Sequence, residues 1–147
     1  MKWIIGLIIL LTLITGTADE VVPVIDVPVV SKTELQCLAL NIHRESSGEP
    51  FKGKLVVGLV VLNRTRNSLF PNTICGVVKQ RGQFSWVVRV KNFERQFVPE
   101  EINQLAYDIM TGVYPDISKG ALYFHNSSAI PFKRRFLFKI GDHSFYS

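Results

Sequence analysis

The chain is poor in the features that mark several common protein classes. Its 147 residues hold two cysteines, Cys37 and Cys75, which leaves room for at most one disulfide and matches no zinc-finger spacing. There is no internal repeat and no low-complexity tract, which argues against a repeat array. No apolar run reaches the ~20 residues of an ordinary membrane-spanning helix. The longest, Trp3 to Ile14, is already interrupted by Gly6 and Thr12. Acidic residues are scarce as well, 12 Asp plus Glu against 17 Lys plus Arg. A reaction that needs several carboxylates has few to draw on.

What is present begins with a leader-like start. Met1-Lys2 supplies a positive charge, the apolar run follows, and Gly16-Thr17-Ala18 offers small residues where a signal peptidase would cut. The expectation is export to the periplasm or cell envelope, with residues 1–18 as signal peptide. An uncleaved inner-membrane anchor is the alternative, and would be the chain's sole membrane contact. Residues 19–32 carry Val21-Val22-Pro23-Val24-Ile25-Asp26-Val27-Pro28, where two prolines and β-branched residues oppose helix and favour an extended linker or edge strand. Residues 33–147 form the working domain, of a size suited to one core and one active site. With Lys2, Asp19, Glu20 and Asp26 set aside, residues 31–147 hold 16 basic and 9 acidic residues, a formal charge of +7. A basic exported domain suits anionic wall polymers or lipid head groups, whereas nucleic acid is out of reach. Such charges also serve solubility alone.

Within that domain the periodicity predicts an α+β mixture. Thr33 with Glu34-Leu35-Gln36 matches a capping box, and Gly48 suits a left-handed stop, giving a helix over 33–47. Pro50 opens a second helix to about Arg64, whose Leu55, Val56, Leu59, Val60 and Leu62 leave little polar surface and mark it as the central buried helix. Thr73 caps a short helical piece through Ile74 and Val78. Pro99-Glu100-Glu101 starts another, with Ile102, Leu105, Ala106 and Ile109 as its stripe and Gly112 as its end. Strand-like runs fill Phe84–Val90, Ala121–His125 and Phe136–Phe145.

The most informative residue is Glu45. Leu35, Leu38, Ala39 and Ile42 fall at helical spacings of three and four, and Glu45 is the next position on that buried stripe. A carboxyl half-desolvated at the end of an apolar stripe has its charged form disfavoured, which lifts its pKa towards the range of a general acid. Glycosidases use such a group. Glu49 could be a second acid, though beside Pro50 at a helix start it has an ordinary structural role too. Gln83, Phe84, Ser85 and Trp86 alternate along an extended run, so that one face could line a sugar cleft. Tyr123 and Asn126 could bind acetamido groups through hydroxyl and amide.

The order of motifs resembles a known family, the bacterial and phage cell-wall hydrolases typified by germination-specific spore cortex-lytic transglycosylases. The matching pieces are Cys37-Leu38-Ala39-Leu40-Asn41, Glu45 with Gly48-Glu49-Pro50, Gly53 through Val61-Leu62-Asn63-Arg64, Phe70-Pro71-Asn72-Thr73-Ile74, Gln83-Phe84-Ser85-Trp86, Gly120-Ala121-Leu122-Tyr123-Phe124 and Ile140-Gly141-Asp142-His143-Ser144-Phe145-Tyr146. The resemblance spans about residues 35–147. It implies a small lysozyme-like domain with helices beside a short antiparallel sheet, and cleavage of the β-1,4 bond between N-acetylmuramic acid and N-acetylglucosamine in peptidoglycan glycan strands. Glu45 matches the family's catalytic glutamate, and no cofactor is implied. A compact basic monomer suits phage lysis (an endolysin) or bacterial wall remodelling. The sequence departs from many relatives at Gly82, where they carry cysteine, and at Ile130-Pro131-Phe132, where they carry tryptophan.

Three other readings remain open on residues alone. A hydrolytic muramidase would use a second carboxylate that the chain does not plainly supply. A zinc amidase or peptidase could draw on His43, Glu45, His125 and His143, but His43 and Glu45 diverge by about 200° on a helix. A wall-binding module without catalysis would need no Glu45.

Overall fold

The computed structural model describes residues 29–126 and 133–147. The leader, most of the linker and the Ile130-Pro131-Phe132 segment lie outside the described residues. The element order is α1 (Lys32–Ser46), α2 (Phe51–Thr65), α3 (Ile74–Lys79), α4 (Glu100–Thr111), β1 (Tyr123–Asn126), β2 (Phe136–Ile140) and β3 (His143–Tyr146). Single 3-10 turns occur at Val87–Arg89 and Phe93–Arg95. No described helix is long and apolar enough to cross a membrane. The α+β class expected from the pattern is the one observed.

Helix α1 runs through the core, with Cys37 to Ile42 all buried, and packs against α2, α3 and α4. Two cores meet on α2. Its Leu55, Leu59 and Val61 join α1, α3 and α4 in the helical core, while Val56, Val57 and Val60 pack with Ala121 and Phe145 of the sheet side. An all-round apolar helix is a buried helix, as the sequence implied. Gly58 lets α1 and α4 close on it, since a Cβ there would lie 2.6 Å from Ile109 Cδ1 and 3.0 Å from Ile42 Cδ1. The sheet is antiparallel in the order β1-β3-β2. Its middle strand β3 pairs Asn126 with His143 on one side and Ile140 with His143 on the other.

Four local expectations are corrected. Ser31, not Thr33, is the N-cap of α1, accepting from Glu34 N at 3.5 Å. The supposed capping-box side chains reach outward instead. Glu34 accepts from Ile74 N at 2.6 Å and from Cys75 N, placing a carboxylate at the N-terminus of α3. Gln36 donates to Phe93 O at 3.1 Å and Gln96 O at 2.9 Å. Gly48 is not left-handed, because the α1 C-cap is Ser47 in a right-handed conformation. Phe84–Val90 is no strand but a turn followed by a 3-10 turn. Phe84 and Trp86 bury inward against Phe124 and Phe93, and Val88 is left 82% exposed, so aromatic burial decides the local chain path over β propensity. The run 136–145 is two strands, because Gly141 at φ 55° and Asp142 turn it into a hairpin.

Cys37 and Cys75 form a disulfide between α1 and α3, closing a separation of 38 residues. Removing that loop constraint by Cys37→Ser with Cys75→Ser should lower unfolding free energy by about 3–4 kcal/mol. Urea denaturation of the two proteins would measure it, and a loss below about 1 kcal/mol would mean that the bond adds little to the Glu34 cap beside it.

Candidate active site

The buried stripe of α1 ends at Glu45, the residue before the helix terminus Ser46. Leu38, Ala39 and Ile42 are fully buried, and the next position on their face is half-buried at the wall of a cleft. This cleft, about 640 Å³ in volume, is also lined by Gln83, Phe84, Ser85 and Val88 from the aromatic loop, Phe124, His125 and Asn126 from β1, and His143 from β3. Of the residues expected to act, the structure therefore brings together Glu45, Gln83, Phe84, Ser85 and Asn126. Phe84 is a buried wall, packed on Trp86 and Phe124.

Two expected residues stand elsewhere. Tyr123 lies behind the wall, its ring 5.9 Å from that of Phe70 and under the Arg134 guanidinium at 4.2 Å. Glu49 is buried away from the lining, where its carboxylate accepts from Asp142 N at 3.1 and 3.2 Å. Sequence reading missed Gly82, Val88, Phe124, His125 and His143 as lining residues. His125 and His143 were legible as chemistry-bearing types, but the register that sets Asn126 against His143 turns their rings to opposite faces of the sheet, His125 on Tyr146 and His143 against Phe124.

Burial raises the pKa of Glu45 above the 4.5 of a free side chain, with the Trp86 side chain and the Arg64 charge pulling it down. Trp86 Nε1 is buried without a partner in strict hydrogen-bonding geometry, so its pull is that of a near but poorly aligned donor. Burial prevails, so the protonated form is favoured more than in a free side chain. Arg64 is the counterweight. Its Nε donates to Leu122 O at 2.7 Å, and its guanidinium lies 5.0 Å from the Phe70 ring, 5.5 Å from Phe84 and 5.7 Å from Tyr123. Burial lowers its pKa to about 10, while Tyr123 and Glu45 favour its charged form. It still carries its charge at neutral pH.

Among the described residues no group of three or more His, Cys, Asp or Glu side chains is disposed to hold a metal ion. Glu45 is also the single carboxylate in the cleft lining among those residues.

A small α+β domain with one half-buried carboxyl in an open cleft has a lysozyme-like outline. The chain belongs to the cell wall hydrolase family, whose model matches residues 48–146. Glu45 lies just ahead of that matched stretch. The spore cortex-lytic enzyme of Bacillus cereus is 32% identical over 120 residues, covering 78% of this chain and 44% of the relative. That of Oceanobacillus iheyensis is 30% identical over 129 residues, covering 84% and 45%. The chain thus spans a little under half the length of these curated relatives. Its fold superimposes on the catalytic domain of the germination-specific lytic transglycosylase SleB from Bacillus anthracis with a TM-score of 0.71 at 31% identity, covering 82% of this chain and all of that one. For the catalytic domain of SleB from Bacillus cereus the TM-score is 0.70 at 30% identity.

A raised carboxyl pKa fixes the sign of a stability change. Between 4.5 and its folded value Glu45 binds more protons in the folded than in the unfolded chain, so stability falls as pH rises through that window. Glu45→Gln cannot ionise and escapes the loss. Thermal melts should show the variant at least as stable as the parent at neutral pH, with the difference vanishing below 4.5; a variant less stable at neutral pH would mean that the charged form is the one the fold favours.

Proposed function

We propose that this chain is a peptidoglycan glycosidase that cleaves the N-acetylmuramic acid to N-acetylglucosamine β-1,4 bond as a lytic transglycosylase, with Glu45 as both acid and base. The observation that carries this reading is the solitary carboxylate in the cleft. A hydrolase of the usual kind sets two carboxyl groups across the scissile bond, about 5–5.5 Å apart when retaining and 6.5–9.5 Å when inverting. Here Glu49, the next acid along the chain, is occupied by the backbone of Asp142.

One carboxyl suffices if the nucleophile belongs to the substrate. Protonated Glu45 gives its proton to the glycosidic oxygen as the bond to C1 breaks through an oxocarbenium-like transition state. The muramyl C6 hydroxyl then attacks C1 of the same sugar, and the Glu45 carboxylate takes the hydroxyl proton. The products are a free 4-hydroxyl on the leaving sugar and a 1,6-anhydromuramyl end, with no water consumed and Glu45 restored. Intramolecular attack has the advantage of high effective molarity. Between the two steps Glu45 is charged, and the buried Arg64 stabilises that state without a rearrangement of solvent. The site thus asks burial to load the proton and Arg64 to tolerate its departure.

The leader-like residues 1–18 fit delivery of this activity to the cell envelope, and the +7 domain fits an anionic wall. Digestion of purified peptidoglycan followed by mass spectrometry tests the chemistry. Anhydromuropeptides are expected, with release falling at least about a hundredfold in Glu45→Gln, as for loss of a general acid. Reducing ends in their place would assign a hydrolytic muramidase, and undiminished release by the variant would remove Glu45 from the reaction.

A further inference from the structure

Behind the cleft wall, the turn between α1 and α2 and the β2–β3 hairpin are joined by an arrangement that the Glu45 chemistry does not use. Glu49, 8% exposed, projects its carboxylate against the hairpin, where Asp142 N donates to it and His143 Nδ1 lies 3.5 Å from Oε1. Two glycines make room for it. A Cβ on Gly141 would fall 1.8 Å from Glu49 Oε2, and one on Gly53 would fall 3.1 Å from the same atom. Gly141 also sits at φ 55°, which side chains rarely adopt. A contact needed only to hold the hairpin would be complete with the Asp142 N–H. This carboxylate faces a histidine as well, and that histidine lines the cleft.

We propose that His143 is a substrate-binding residue of the cleft, oriented from behind by Glu49 so that its Nε2 accepts a hydrogen bond from an amino sugar, whether from a hydroxyl or an acetamido N–H. The inference rests on the glycosidase reading for its ligand class. A carboxylate facing Nδ1 favours the tautomer with hydrogen on Nδ1, which leaves the Nε2 lone pair on the side of the ring away from Glu49. At 3.5 Å the contact is longer than a full hydrogen bond, as is common before a substrate closes a site. Phe124 also packs against the ring, edge to face at 5.1 Å and 77°. The charged and titratable groups around His143 are Glu49 from the turn, Asp142 on its own hairpin and His125 on β1. Burial is the largest influence and lowers its pKa, opposed by Glu49 and Asp142 and aided by His125, so the ring is neutral at neutral pH and able to accept. Glu49 in this scheme is a positioning residue that acts through His143.

The test uses the unaltered, isotope-labelled full chain, so it does not depend on a variant folding. Imidazole nitrogen spectra are recorded at neutral pH alone and with saturating N-acetylglucosamine trisaccharide. The expected result is an Nδ1–H tautomer for His143 and a movement of its Nε2 resonance on addition of sugar. The opposite tautomer, or an Nε2 signal unmoved at saturation, would overturn the proposal. Kinetics on soluble glycan strands add a second reading. His143→Gln should raise KM roughly 3- to 10-fold, the range of one neutral hydrogen bond, and more than it lowers kcat. Glu49→Gln should raise KM too, and add little to His143→Gln in the double variant. Additive effects, or a loss confined to kcat, would count against the pairing. A sugar-dependent Nε2 shift in a protein that releases no anhydromuropeptides would leave His143 in place and discard the transglycosylase reading, so the two failures are separable.

Discussion

Everything in this domain is arranged around the fixed rotation of α1. Glu45 stands next to the last residue of α1, and it keeps its place on the cleft wall only if the helix cannot turn about its axis. Here three independent ties prevent rotation: the Cys37–Cys75 disulfide, the Glu34 carboxylate on the first N–H groups of α3, and the Gln36 amide on the carbonyls of Phe93 and Gln96. They are polar or covalent and directional, whereas packing of Leu38, Ala39 and Ile42 alone would tolerate some slip. Glu45 inherits its direction from residues two and three turns away.

The electrostatics of the cleft follow from that placement. Burial is applied to both members of a carboxylate and guanidinium pair, and it moves their pKa values towards each other, Glu45 up and Arg64 down. Each also resists the change in the other. The aromatic rings around Arg64 suit a cation that is half stripped of water, because their faces carry negative potential. A lysine could not lie flat among Phe70, Phe84 and Tyr123 while donating to Leu122 O. The arrangement separates the two demands on Glu45: one element supplies the dry wall and another the charge.

What was legible in the sequence was local. The stripe from Leu35 to Glu45 is periodic within one helix, and Thr73, Pro99 and Gly112 mark their helix ends by their own stereochemistry, so these were read correctly to within a residue or two. The apolar surround of α2 announced burial on all sides without saying that the two sides were different cores. The failures share a cause. Thr33-Glu34-Leu35-Gln36 has the pattern of a self-contained cap, but its side chains found partners some 40 and 60 residues away. Phe84–Val90 has strand composition, yet Phe84 and Trp86 gain more by burying against Phe124 and Phe93 than by pairing. His143 and Glu49 are uninformative separately, since their relation depends on a hairpin folding back across 93 residues onto the turn before α2.

The strand order carries a consequence in time. β3 is the last of the described elements along the chain, yet it is the middle strand of the sheet, and it supplies His143 to the cleft. A growing chain can bring α1 to α4 together through contacts already synthesised, but β1 and β2 have nothing to pair with until residues 143–146 exist. The wall that carries His143 therefore cannot form before residues 143–146 are made. A chain cut short before residue 143 lacks the middle strand, and with it the sheet and one wall of the cleft.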